Sequence, residues 1–411
     1  MKTKTTSIFI FLIIVLLYLD IPLFVGSFML PSFTGIIFLL FFSVLYPPQV
    51  HQIKCFLALE GLFLGYLAFG VAGYDIASFI SSQQLVVGVM LFSYLIIYTR
   101  RISDNTFSNV LAFTIIFIAF LSQLELYTVF REVSDSFRYW AYGDTSYFYE
   151  NDNRDLALIG NIRPKVFAPE PSTHTILLGY LLVCYKLIIV KSAKTVEALM
   201  LILCTLVYFS TQSPTLLLSI TIVVFLNVNW LKNLPLKIIG LLLLTIILLL
   251  VFFLLLEGLG SIQLGAFSRL SKFGDLAVVS SENVRLYYPL LTLADSIKHY
   301  PLFGIGVGNK EALVPISSIL TGTNHSNLLN ENMLLGSFAI PRIFIYFGFL
   351  GGATFLLIIY KTIVNLNAWQ FLKLSVPVLV LVLSLGTFEG VYFWFVLAIG
   401  YRSCLGNEKH H

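Results

Sequence analysis

Arg163-Pro164-Lys165-Val166-Phe167-Ala168-Pro169-Glu170-Pro171-Ser172-Thr173-His174 runs straight into the apolar stretch Leu177 to Val190. Within a dozen residues it carries two cations, a carboxylate, an imidazole and three prolines, and almost everything before its polar segment is apolar. The prolines fix the backbone direction at a helix start. Polar groups this dense at the mouth of an apolar helix are costly to place in a bilayer unless they are used. The stretch thus reads as the junction between an aqueous loop and a membrane helix.

Working outward, the 411-residue chain is 58% hydrophobic and 11% charged. A soluble domain has about 25% charged residues, so this composition excludes one and indicates a polytopic membrane protein. Spanning helices need roughly 20 mainly apolar residues. Twelve candidates satisfy that length approximately: 7–25, 31–47, 54–72, 84–99, 107–129, 172–190, 195–210, 214–230, 237–256, 342–360, 374–387 and 390–402. Only Gly26 to Pro31 separates the first two, and Asp20 interrupts the first. The four cysteines lie in or beside apolar runs without CxxC spacing, which argues against a disulfide framework.

Basic residues mark every second boundary: Lys2 and Lys4, Lys54, Arg100-Arg101, Lys186/Lys191/Lys194, Lys232/Lys237, Lys361/Lys373 and Arg402. The alternate short connections carry no Lys or Arg. The positive-inside rule then puts both termini in the cytoplasm and both long polar segments, 130–171 and 257–341, on the outer face. The expected class is all-α: one membrane domain over 1–411, about twelve spans, and two partly helical outer loops. Loops beyond about 12–15 residues are usually functional or disordered, and the aromatic residues between Phe137 and Tyr149 argue for order. Asn283 to His299 reads as an amphipathic helix that kinks or begins at Pro289.

The outer segments hold the chemistry. Glu170 at a water–membrane boundary suits a general base, because desolvation favours its protonated form. Glu170 and His174, four apart, share a face if the helix starts early, although Ser172 is an ordinary helix cap. Arg163, Arg285 and Arg269 suit a phosphate-bearing ligand through bidentate guanidinium contacts. His325, set among amides in Asn324-His325-Ser326-Asn327, can exchange protons near neutral pH. Lys165, His174 and Arg342 are supporting candidates, with Arg342 at the start of a late span. Metal-ligand spacing is absent from both segments. Alternating glycines at Gly304, Gly306 and Gly308 lack the surrounding βαβ unit of a nucleotide loop and read as a turn needing positive φ. Asp20 and Glu60 form no relay across the early spans, which disfavours an ion-coupled transporter.

With these residues in view, the chain resembles the Wzy-type O-antigen and exopolysaccharide polymerases and the related O-antigen ligases. Three features carry the likeness: Arg163 to Ser172 with its Glu-Pro-Ser, the run His299-Tyr300-Pro301-Leu302-Phe303-Gly304-Ile305-Gly306-Val307-Gly308-Asn309, and His325 with a following glycine pattern. Gly336 and the Gly348/Gly351 pair are alternative matches for that pattern. The resemblance implies a metal-independent, cofactor-free membrane glycosyltransferase in a bacterial inner membrane, facing the periplasm. Its donor and acceptor would be undecaprenyl-pyrophosphate-linked oligosaccharides, joined into a surface polysaccharide such as exopolysaccharide or lipopolysaccharide O-antigen. Implied partners are a flippase and a chain-length regulator, with no nucleic acid. Transfer of the glycan to lipid A–core, as in a ligase, is the alternative, and a lipid-linked glycan flippase the more distant one.

Overall fold

The computed structural model describes residues 2–19, 21, 23–25, 28–30, 33–143, 162–168, 170–188, 194–227, 288–309, 312, 335, 339–362, 366–384 and 390–405. In chain order the elements are α1 (Lys2–Leu19), β1 (Leu23–Val25), β2 (Phe28–Leu30), α2 (Phe33–Leu45), α3 (Val50–Ala68), α4 (Ile76–Arg100), α5 (Asp104–Tyr127), α6 (Phe130–Tyr142), α7 (Pro171–Ile188), α8 (Lys194–Thr211), α9 (Pro214–Asn227), α10 (Tyr288–His299), α11 (Ala339–Thr362), α12 (Ala368–Ser384) and α13 (Val391–Leu405).

The helices start where local chemistry allows it. Asp75 caps α4 by accepting from the Ser78 N–H at 2.8 Å, and Ser103 caps α5 by accepting from Thr106 at 3.2 Å. The Asp75 carboxyl is held below its ordinary range by those Ser78 hydrogen bonds. Pro171 and Pro214 open α7 and α9, and Pro289 stands second in α10. A proline costs nothing there, since the first N–H groups of a helix have no internal partner. The described part of the amphipathic stretch 283–299 is helical from Tyr288 to His299, with Pro289 inside that helix; residues 283–287 lie outside the described part.

By length and composition four described helices can cross a membrane: Ile76–Arg100, Asp104–Tyr127, Lys194–Thr211 and Ala339–Lys361. Several shorter apolar helices accompany them. The expected span 237–256 lies outside the described residues. Between α1 and α2, where the sequence suggested only a break, β1 and β2 pair antiparallel with Leu23 opposite Leu30 and Val25 opposite Phe28. Pro22 and Gly26 disfavour helix in this sequence, and Leu, Phe and Val suit a pleated ribbon. The helix expected over 374–387 instead begins at Ala368 and accommodates Pro377 internally.

The centre of the bundle is α7. Its residues are buried nearly all round, from His174 through Ile188, as expected of a helix apolar on every face. It packs against α5, α8, α9, α12 and α13. The far end of α5 from the Arg163–His174 stretch gathers charge: Arg402 Nε donates to Thr99 O at 2.9 Å, and its Nη2 contacts Ile102 O at 2.7 Å and Asp104 Oδ1 at 2.6 Å. At the far end of α7, Lys186 meets Glu197 at 2.7 Å. Arg402 and Lys186 are therefore partnered, which offsets the cost of burying Arg402.

Candidate active site

The site is built around one strained turn. Lys165-Val166-Phe167-Ala168 closes with a hydrogen bond from Ala168 N–H to Lys165 O at 3.0 Å. Val166 has φ 48° and Phe167 φ 63°. Positive φ at both central residues is the pattern of a type I′ turn, normally made by Asn or Gly. For a β-branched valine it is an outlier, and each such residue costs on the order of 1–3 kcal/mol. It persists only if the surroundings over-determine it.

They do so group by group. The Glu125 carboxylate, near the end of α5 and 1% exposed, accepts from the Lys165 N–H through both oxygens at 3.1 Å and from the Val166 N–H at 2.5 Å. Ser134 of α6 accepts from the Phe167 N–H at 3.1 Å. Tyr18 of α1 donates to Val166 O at 2.9 Å, and Arg138 Nε of α6 donates to Ala168 O at 2.8 Å. Arg138 is itself buried and oriented by Asp135 at 2.7 Å. The Phe167 ring stands edge-on to Phe130 and Phe137, each at 5.3 Å. Every N–H from 165 to 168 has a partner, as a buried backbone must. Charge-assisted bonds worth about 1.5–3 kcal/mol each outweigh the strain.

The turn interior is buried, while Arg163 before it and Glu170 after it remain half-exposed. Glu170, not Ser172, occupies the N-cap position of α7: its carbonyl accepts from Thr173 N–H at 3.2 Å, and its carboxylate accepts from the Ser172 hydroxyl at 3.1 Å. A carboxylate at a helix N-terminus also meets the positive end of the dipole. His174 differs from Glu170 in burial. It is fully buried inside the bundle, and its ring nitrogens make no hydrogen bond among the described residues. Arg163 bears on it electrostatically. Lys165 is buried too, and its described tie to Glu125 is through the backbone N–H.

Arg342 sits in the first turn of α11, 5% exposed, and its Nε donates to Leu335 O at 3.1 Å. It ties Leu335 to the first turn of α11. Arg269, Arg285, His325 and Gly336 lie outside the described residues.

The glycine run forms a second built feature. Helix α11 breaks at Gly348, which has φ 62° and ψ −168°. Three donors and three acceptors that would have bonded across the break turn to other partners. Phe349 N–H donates to Pro301 O, and Leu350 and Gly351 N–H donate to Leu302 O, at 2.9–3.2 Å. In return Ile305 N–H donates to Ile345 O at 3.0 Å and Gly306 N–H to Tyr346 O at 2.7 Å. Tyr66 donates to Phe347 O at 3.3 Å and also contacts Phe303 O. A Cβ on Gly304 would stand 2.5 Å from Gly348 N, and one on Gly348 would stand 2.5 Å from Gly304 N. The turn reading of this run holds, and its positive-φ glycines allow two backbones to touch. Gly306 then abuts the ring of Tyr74, whose phenol burial pushes up to about 12 and keeps neutral.

Sequence reasoning missed Glu125, Arg138 and Ser134. Glu125 had a signal: it is an acid near the end of a long apolar helix, a position that usually marks a use. Arg138 and Ser134 share a helix face at i, i+4, which is visible only once α6 is known to be helical.

A family model described as WcaD colanic acid polymerase matches residues 5–396. No curated protein and no solved structure matches the chain.

Proposed function

The chain belongs to the WcaD colanic acid polymerase family, a family of Wzy-type polysaccharide polymerases, and we propose that it elongates a surface polysaccharide by moving the growing glycan from its polyprenyl pyrophosphate carrier to a hydroxyl of an incoming lipid-linked repeat unit. Membership makes it a membrane-embedded, glycosyltransferase-type enzyme. The observation that carries the finer reading is the braced turn at 165–168, which leaves Arg163 and Glu170 at its two half-exposed ends beside the central helix of the bundle.

The reaction balances without a redox partner. The acceptor oxygen forms a bond to the anomeric carbon, the bond from that carbon to the pyrophosphate oxygen breaks, and the acceptor proton passes to a base. Direct displacement inverts the anomeric centre. Arg163, with Arg285 and Arg269, neutralises the negative charge growing on the leaving pyrophosphate. Glu170 or His325 takes the proton. Lys165, His174 and Arg342 support the site without touching the reacting atoms. The arrangement is read as metal-independent and cofactor-free, in an inner membrane with twelve crossings and both termini cytoplasmic. The outer loops 130–171 and 257–341 then face the periplasm within one membrane domain, and a flippase supplies substrate while a chain-length regulator sets product size.

The test is elongation by purified protein in proteoliposomes given a defined polyprenyl-pyrophosphate-linked repeat unit. The expected product is a ladder of longer glycans, undiminished in chelator. Arg163→Ala and Glu170→Gln should abolish the ladder while leaving the thermal unfolding midpoint unchanged. Full activity in Glu170→Gln removes that residue from the base role. Loss in chelator restored by a divalent cation refutes metal independence. A single product on lipid A–core identifies a ligase, and lipid movement across the bilayer without any product identifies a flippase.

A further inference from the structure

Helix α6 buries Ser134, Arg138, Ala141 and Tyr142 and leaves large apolar side chains on its outer side. Its inward face carries Ser134 and Arg138, both fully buried and bonded to the turn. Its outward face carries Val133, 57% exposed, and Trp140, 73% exposed, preceded by Val129 at 78%. Val129, Val133, Ser136 and Trp140 recur at i, i+4, i+7 and i+11 and so form one stripe. A helix that buries its arginine and shows its tryptophan does not have water as its outer solvent.

The neighbouring helix indicates what covers the stripe. On α5, a membrane-length helix, Phe113, Phe120 and Tyr127 are exposed at a seven-residue spacing along one side. From Phe113 to Tyr127 the exposed residues of that side are aromatic, as on a lipid-facing surface. Tyr127 ends α5, and Val129 and α6 follow at once. The exposed surface is therefore continuous from a membrane-facing helix onto α6. Glu132 borders the α6 stripe and is exposed, which sets the depth: an aromatic and a carboxylate side by side suit the headgroup level rather than the hydrocarbon core.

We propose that α6 lies in the outer membrane–water interface, with Val133 and Trp140 set into the lipid and Arg138 and Ser134 gripping the turn from behind. The occupant of the exposed face is the bilayer surface itself. The consequence is geometric: the same helix reads the headgroup plane on one side and fixes the 165–168 turn on the other. The turn is thereby held at the level where a lipid-linked phosphate group resides.

The test does not depend on any activity. The four native cysteines are buried, so a nitroxide reagent labels introduced cysteines selectively. Val133→Cys, Trp140→Cys and Glu132→Cys are labelled one at a time in full-length protein reconstituted into vesicles of phosphatidylethanolamine and phosphatidylglycerol. Spin relaxation is read with oxygen, which concentrates in lipid, and with a water-soluble nickel chelate. The expected result is oxygen collisions exceeding nickel collisions at 133 and 140, and the reverse at 132. Nickel-dominated relaxation at 140 places the face in water and overturns the proposal. Low accessibility to both reagents at 133 and 140 shows that protein covers the face, and overturns it equally.

Discussion

The turn at Lys165–Ala168 and the loop at Pro301–Gly306 both press non-helical backbone into a helical bundle, and they solve the problem with opposite materials. The first is made of residues that dislike its conformation, Val166 and Phe167 at positive φ, and is held by side chains from three other helices: Tyr18, Glu125, Ser134 and Arg138. The second is made of glycines that accept positive φ freely, and is held almost entirely by backbone groups exchanged with the break at Gly348. Backbone-to-backbone docking tolerates no added atom. Side-chain bracing tolerates substitution but depends on charge. The second region is held by a steric requirement, whereas the first carries at its flanks the two groups proposed for the chemistry, Arg163 and Glu170.

Gly348→Ala should have the largest effect. It places a Cβ 2.5 Å from the backbone of Gly304 and Leu302 and forces alanine into a conformation that suits glycine alone. A loss of roughly 3 kcal/mol or more is expected, read as collapse of the monodisperse peak after heating in detergent. A fully stable Gly348→Ala protein would mean that the two backbones are not in contact.

Glu125→Gln comes next. The amide keeps one acceptor, loses the charge, and turns an N–H donor toward the Lys165 and Val166 donors. A destabilisation of about 2–3 kcal/mol is expected, together with loss of elongation. Glu170→Gln should lose elongation alone, so the pair separates bracing from chemistry. If Glu125→Gln leaves the unfolding midpoint unmoved, the side-chain account of the turn fails.

Val166→Gly should have the smallest effect on stability. Relief of strain, about 1–3 kcal/mol, opposes the loss of a buried valine side chain, about 1.5–3 kcal/mol. The unfolding midpoint should shift little, while elongation slows because the turn no longer fixes the separation of Arg163 and Glu170. Unaltered elongation would show that the left-handed valine has no part in positioning them.

Much of this was legible in the residues. Spanning character depends on roughly twenty consecutive side chains, a local property that composition reports directly. Pro171 and Pro214 marked helix starts and the glycines at 304–308 announced positive φ, but α4 and α5 begin at Ile76 and Asp104, ahead of the 84 and 107 that hydropathy gave, because their Asp75 and Ser103 caps are polar. Glu170 and Arg163 were conspicuous because they are charged where charge is costly. Other features were not legible. Glu125 meets a segment 40 positions away, and Arg138 meets Ala168 30 positions away. A two-stranded ribbon at 23–30 hid among apolar residues that suit helix and strand alike.

By itself the sequence determined a membrane helical class, the alternation of its basic boundaries, and the two polar segments that hold the charged candidates. Only the tertiary structure decided that valine and phenylalanine take the left-handed turn, that Glu125 fills its donors, that His174 is buried in the core, and that Gly304 and Gly348 meet. The physical reason is range. Hydropathy and capping are settled by neighbours along the chain, but a backbone N–H left unpaired by a strained turn is satisfied by whichever side chain the packing brings to it, and no local pattern encodes that choice.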